Sequence, residues 1–178
     1  MLARMLFSSL SALLALAAFT LGARPQSACT QGDPIMVCPS QINSKGGPPR
    51  IGYSGCPSAS AQGGFVVRCS RLIPGTLAVL LYDFTGLPTA KVFQGGVLCL
   101  RQPVFRAKTL FVGGDPTLQC DGLVQIDMNA FAAGNSGGLP MPALRTPGTV
   151  VTCQWWSRDT GSPFGTNLSN ALRYVVAP

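Results

Sequence analysis

The 178-residue sequence predicts an all-β domain, an antiparallel two-sheet β-sandwich of jelly-roll or Greek-key type behind an N-terminal signal peptide. Three observations carry this. Short runs of strand character recur along the chain. Turn residues separate them, with 21 glycines and 15 prolines overall. No stretch of roughly 10–15 residues carries the helical period that would mark a crossover between parallel strands.

The first element is the leader. Met1–Arg4 is positively charged and "MLFSSLSALLALAAFTLG" (5–22) is apolar or small throughout, the order of a secretory signal peptide. Interrupted by Ser8, Ser9 and Ser11, it is a marginal membrane span. Cleavage is expected after Ala23 or Ala28, with residues 29–178 a single β-sandwich domain, no linker and no stable membrane span after cleavage. The second cut would place Cys29 at the N-terminus, the position lipidated in bacterial lipoproteins, although "QSA" (26–28) lacks the aliphatic residue of a lipobox.

The strands follow. "GFVVRCSRLI" (64–73) and "TLAVLLYDF" (76–84) flank a Pro74–Gly75 turn, and "GVLCLR" (96–101) comes next. In "LVQIDM" (123–128), Val124, Ile126 and Met128 share one face while Gln125 and Asp127 share the other, the alternation of a half-buried strand. "DMNAFAAG" (127–134) is the one helical stretch, two turns at most. "TVVTCQWWSR" (149–158) and "NALRYVVA" (170–177) complete the set. Gly-Gly pairs at 46–47, 63–64, 95–96, 113–114 and 137–138 are irregularly spaced, which marks turns and not a repeat.

Composition excludes more than it asserts. There is no histidine and no glutamate; the acids are Asp33, Asp83, Asp115, Asp121, Asp127 and Asp159. Mechanisms and metal centres that need an imidazole are therefore absent. Two-carboxylate hydrolysis would fall to Asp121, Asp127 and Asp159, for which turn capping or pairing with arginine is the expected role. "DPTLQCDG" (115–122) lacks the alternating oxygens of a calcium loop, and no Gly-Gly pair leads into a phosphate-binding Lys-Ser/Thr. The expectation is a non-enzyme with no cofactor and no metal. Loss of Arg4 and Arg24 with the leader takes the net charge from +7 to +5. The basic residues are scattered singly, which suits solubility and not nucleic acid, and leaves a glycan or other envelope component as the expected partner.

Seven cysteines in an exported chain predict disulfides. Cys99 and Cys120 are separated by twenty residues with two prolines and a Gly-Gly turn, so the chain can fold back and join them. Cys38–Cys56 is the second expected pair, Cys69–Cys153 the third by elimination, and Cys29 the odd thiol.

Several segments resemble a group of small secreted domains common in planctomycete-like bacteria. "INSKGGPPRIGYSGCPSASAQGGFVV" (42–67) is similar to the group's opening, and "FQGGVLCLRQPVFR" (93–106) to its FQGG-LC strand. "CDGLVQIDMNAF" (120–131) and "PGTVVTCQWWSRDTGSPFGTNLSNALRYVVAP" (147–178) resemble its later stretches. The resemblance implies an exported module with no activity attached. Cys69 and Cys153 depart from the group's pattern, and Gly47 stands where it frequently has cysteine.

One stretch invites a site. In a strand, Trp155 and Trp156 point to opposite faces. Val151, Cys153 and Trp155 make the more apolar face, so Trp155 is expected inward and Trp156 beside Arg158, its indole stacked by the guanidinium. Two readings compete. Trp156 and Arg158 bind a sugar or anionic glycan, or the stretch closes the sandwich with an Arg-Asp pair. "NLS" (167–169) fits a glycosylation sequon but carries little weight. The function expected is a secreted or envelope-associated, non-catalytic β-sandwich module, with a carbohydrate-binding module as the alternative and an aspartate hydrolase third.

Overall fold

The computed structural model describes residues 29–86 and 89–178; the signal peptide expected over residues 1–28 lies outside them. The architecture is all-β. β1 (Ile35–Val37) is an edge strand, followed inward by β10 (Thr166–Val175), β9 (Val150–Arg158) and β4 (Leu77–Asp83), with β7 (Phe105–Phe111) at the far edge. A three-stranded sheet runs β2 (Arg50–Ser54), β3 (Val66–Leu72), β8 (Gly122–Asp127). β5 (Lys91–Phe93) and β6 (Gly96–Leu98) form a separate hairpin. Every pairing between these strands is antiparallel. The chain passes between the two larger sheets at β1–β2, β3–β4, β7–β8 and β8–β9.

The alternation read from the sequence decides which faces meet. Val124 and Ile126 of β8 and Val67 and Cys69 of β3 join Leu80 and Tyr82 of β4 and Val151, Cys153 and Trp155 of β9 in one buried core. Rings fill its widest part: Phe65 meets Tyr174 edge-on at 4.8 Å, and Tyr82 lies 5.6 Å from both Phe84 and Phe105. Burying each large apolar side chain contributes about 1.5–3 kcal/mol. The expected helix is one short turn, α1 (Met128–Ala132). Asp127 starts it by accepting from the Ala130 amide at 3.0 Å, and its second oxygen accepts from the Gly64 amide at 2.6 Å. A 3₁₀ turn, Pro142–Arg145, precedes β9.

The cysteine pairing differs from expectation at every pair. The bridges are Cys29–Cys56 and Cys38–Cys99, and Cys69, Cys120 and Cys153 are free. Cys99 does not join Cys120. "GVLCLR" leaves the hairpin after Leu98, and the Cys99 amide donates to Gln154 Oε1 of β9 at 2.9 Å. That sets Cys99 on the β10 side of the sheet, where β1 delivers Cys38. Cys120 instead packs against the 43–47 turn, its sulfur 3.6 Å from the Lys45 carbonyl. Cys56 is taken by Cys29, which a turn closed by the Gly32 amide (2.9 Å to the Cys29 carbonyl) folds back onto the end of β2. Cys29 is thus not the odd thiol. Cys69 and Cys153 are buried in the same core but on opposed sheets; packed sheets lie about 10 Å apart, beyond the roughly 7 Å that a disulfide can span between Cα atoms.

Candidate functional site

β9 places its two tryptophans on opposite faces. Trp155 is 0 % exposed in the core, and Trp156 lies half-buried on the outer face of the five-stranded sheet. That outer face is divided. At one end the β5–β6 hairpin and the chain after it cover the sheet, with Leu98 and Leu100 packed on Leu168 and against Leu81 and Trp156. At the other end the face is bare. Across it Leu77 pairs with Phe111, Val79 with both Thr109 and Trp156, and Thr166 with Arg158. Paired residues in antiparallel strands project to the same side, so these rows floor a single groove.

The groove has a volume of about 540 Å³, within the range of small-ligand sites. Arg106 of β7 and Arg158 of β9 line it from two strands, with Trp156 between them. Phe93 and Gln94 of the hairpin turn, and Phe164 from the β9–β10 loop, form the wall. Gly95 permits that wall: a Cβ there would come within 2.8 Å of the Phe164 ring, and its φ of +76° suits glycine. Phe164 is 57 % exposed and Phe111, at the end of the floor, 77 % exposed.

Hydrogen bonds fix the centre. Trp156 Nε1 donates to Gln94 Oε1 at 3.1 Å, and Thr166 Oγ1 donates to the same oxygen at 2.9 Å. Arg158 Cζ lies 5.2 Å from the Trp156 ring centroid, a cation–π contact worth about 0.5–1 kcal/mol when exposed. The hairpin is anchored from behind by Gln154, fully buried next in line on the same face. Its amide donates to the Val97 carbonyl at 2.9 Å and the Ser169 carbonyl at 2.6 Å, and its oxygen holds the Cys99 amide. Ser169 lies in a β-bulge of β10 between Leu168 and Ala171.

Trp156 and Arg158 therefore stand together as expected, whereas the Arg-Asp closure does not form. The Asp159 carboxylate turns away from Arg158 and accepts from the amide (2.8 Å) and hydroxyl of Ser44. Phe93, Gln94, Arg106 and Phe164 were not singled out in the sequence. The one signal for them is the Gly95–Gly96 pair directly after Phe93–Gln94, which marks a hairpin tip. The aspartate trio is dispersed in role: Asp127 caps α1, Asp159 holds Ser44, and Asp121 accepts from the Asp115 amide at 2.9 Å. Among the described residues no group of three or more cysteines and aspartates is placed to hold a metal ion. Asn167 of the "NLS" sequon is 1 % exposed, out of reach of a glycosylating enzyme in the folded chain.

The chain matches no family model, no curated protein and no solved structure. Fold and site define its class directly: a disulfide-bridged, antiparallel β-sandwich with an aromatic and arginine groove on the outer face of its larger sheet.

Proposed function

We propose that the protein is a non-catalytic, extracytoplasmic binding module whose outer-face groove takes a carbohydrate. The observation that carries this is the Arg158–Trp156–Gln94 assembly set in an open groove beside Phe93 and Phe164. Sugar rings present C–H faces to aromatic rings and hydroxyls to guanidinium donors, and the groove offers both. The non-catalytic part is supported by the lack of histidine and glutamate and by the engagement of Asp121, Asp127 and Asp159 with backbone amides. Two disulfides support the compartment, and among the described residues no helix is long and apolar enough to cross a membrane. Mass spectrometry of the exported fraction is expected to find an N-terminus near residue 24 or 29; a full-length cytoplasmic chain would overturn the export reading.

A glycan array with affinity electrophoresis of residues 29–178 tests the binding itself. Retention on at least one polysaccharide, lost in Trp156→Ala with an unchanged circular dichroism spectrum, is the expected result. No retention on any glycan, or retention indifferent to Trp156→Ala, would refute the reading. Turnover of a glycan that is abolished by Asp127→Asn or Asp159→Asn would refute its non-catalytic part.

A further inference from the structure

Within that carbohydrate reading, on which this step rests, we infer that the ligand is an acidic oligosaccharide whose carboxylates are taken by Arg158 and Arg106 together. The groove holds two guanidinium groups and its lining includes no aspartate. Neither arginine has a hydrogen-bond or ion-pair partner among the described residues, although both are exposed on one face. Charges left unpaired in a concave site are where an opposite charge from a ligand gains most.

Trp156 sharpens the point. Its one polar group is committed to Gln94, and Arg158 lies over its ring. A neutral sugar would have to displace the guanidinium to stack there, while an acidic sugar meets a guanidinium already held in place. A planar guanidinium pairs with a carboxylate through two parallel hydrogen bonds, and holding it in advance removes part of the ordering cost. The register sets the ligand's length. Arg106 stands opposite Leu81, and Arg158 lies two residues beyond Trp156, which is opposite Val79. Two inter-strand steps and about four residues of strand put their Cα atoms roughly 16 Å apart. Two acid groups along a chain reach both arginines better than one small anion does. Phe93 and Phe164 then supply the apolar faces for the rings in between.

The test is isothermal titration of residues 29–178 with oligogalacturonate, with a sulfated oligosaccharide and with a neutral oligoglucan. The variants are Arg158→Gln, Arg106→Gln and, as a charge-matched control on the other sheet, Arg68→Gln. Oligogalacturonate should bind most tightly, and each groove variant should weaken it at least tenfold while Arg68→Gln changes it less than twofold. Raising salt from about 50 to 250 mM should weaken it further, as screening demands. Equal, salt-insensitive binding of the neutral glucan, with the arginine variants unaffected, would overturn this inference and leave the carbohydrate reading standing. Preference for the sulfated ligand would overturn the carboxylate assignment. Tighter, groove-dependent binding of single-stranded nucleic acid or of anionic lipid vesicles would overturn the glycan itself, and no binding of any glycan would overturn both readings.

Discussion

At Gly47 an added Cβ would stand 2.5 Å from the Cys120 sulfur and 3.1 Å from its Cβ. Carbon and the far sulfur of a disulfide are about 3 Å apart, so a shift of about half an ångström turns this clash into bonding geometry. Gly47→Cys should therefore form a third bridge, to Cys120. The direct loop from 47 to 120 is not the relevant length, because Cys38–Cys99 already shortens the path between these positions. Through that bridge the closed loop contains about 30 residues, which the chain-entropy relation converts to about 3.6 kcal/mol. The shift needed to admit the side chain costs about 1–3 kcal/mol, the usual range for overpacking. The net gain is about 1–3 kcal/mol, or roughly 2–10 °C in Tm for a domain of this size. Thermal melts of Gly47→Cys should show this rise without reductant and a fall below wild type with it. Gly47→Ser, which has the crowding without the bond, should melt below wild type under both conditions. Peptide mapping that finds Cys120 still alkylatable in oxidised Gly47→Cys would refute the placement of the 43–47 turn.

Three further outcomes are expected. Gln154→Leu removes the partners of the Cys99 amide and the Val97 and Ser169 carbonyls, so it should cost about 2–4 kcal/mol in denaturant unfolding; a loss under 1 kcal/mol would mean the hairpin is held by other contacts. Iodoacetamide should label only Cys120 of the three free thiols in the native protein and all three after unfolding, and rapid native labelling of Cys69 or Cys153 would contradict their burial. Burial pushes the Cys69 and Cys153 thiols and the Tyr174 phenol up, so above about pH 9 for the cysteines and about pH 10 for the tyrosine the unfolded chain releases protons that the folded chain keeps. Stability should accordingly be full below the lower of these and fall above it by up to about 1.4 kcal/mol per pH unit for each group, less steeply in Cys153→Ala. Urea unfolding at pH 8 and pH 10.5 measures it, and equal stabilities would refute the burial of these groups.

The long strands were legible because their alternation records burial on one side. β3, β4 and β9 each lie within the stretch read from the sequence, β8 starts one residue before its own, and the separation of Trp155 from Trp156 follows from the period of two alone. β10 runs longer than expected because its bulge interrupts the period between Leu168 and Ala171. β1 and β5, three residues each with mostly exposed side chains, carry no period to detect, and nor does an edge strand such as β7, whose outer side is bare. The cysteine pairs were illegible for a different reason. Pairing depends on which strands become neighbours, and the β1–β10 pairing that brings Cys38 toward Cys99 joins residues far apart in the chain. The groove was half legible. Trp156 and Arg158 share one strand, but Arg106 and the hairpin tip reach them only through the order of strands in the sheet.

The hairpin wall is tied down on the side away from the groove by Gln154 and by the chain that leads to the Cys38–Cys99 bridge. A wall free to swing must be stilled by whatever binds, and that ordering subtracts from affinity. Here part of the stilling is covalent and is in place once the chain has been oxidised. Reducing the bridge would therefore loosen the wall without altering any residue that lines the groove. With the bridge open, those residues are unchanged, yet more of the work of arranging them would pass to a ligand.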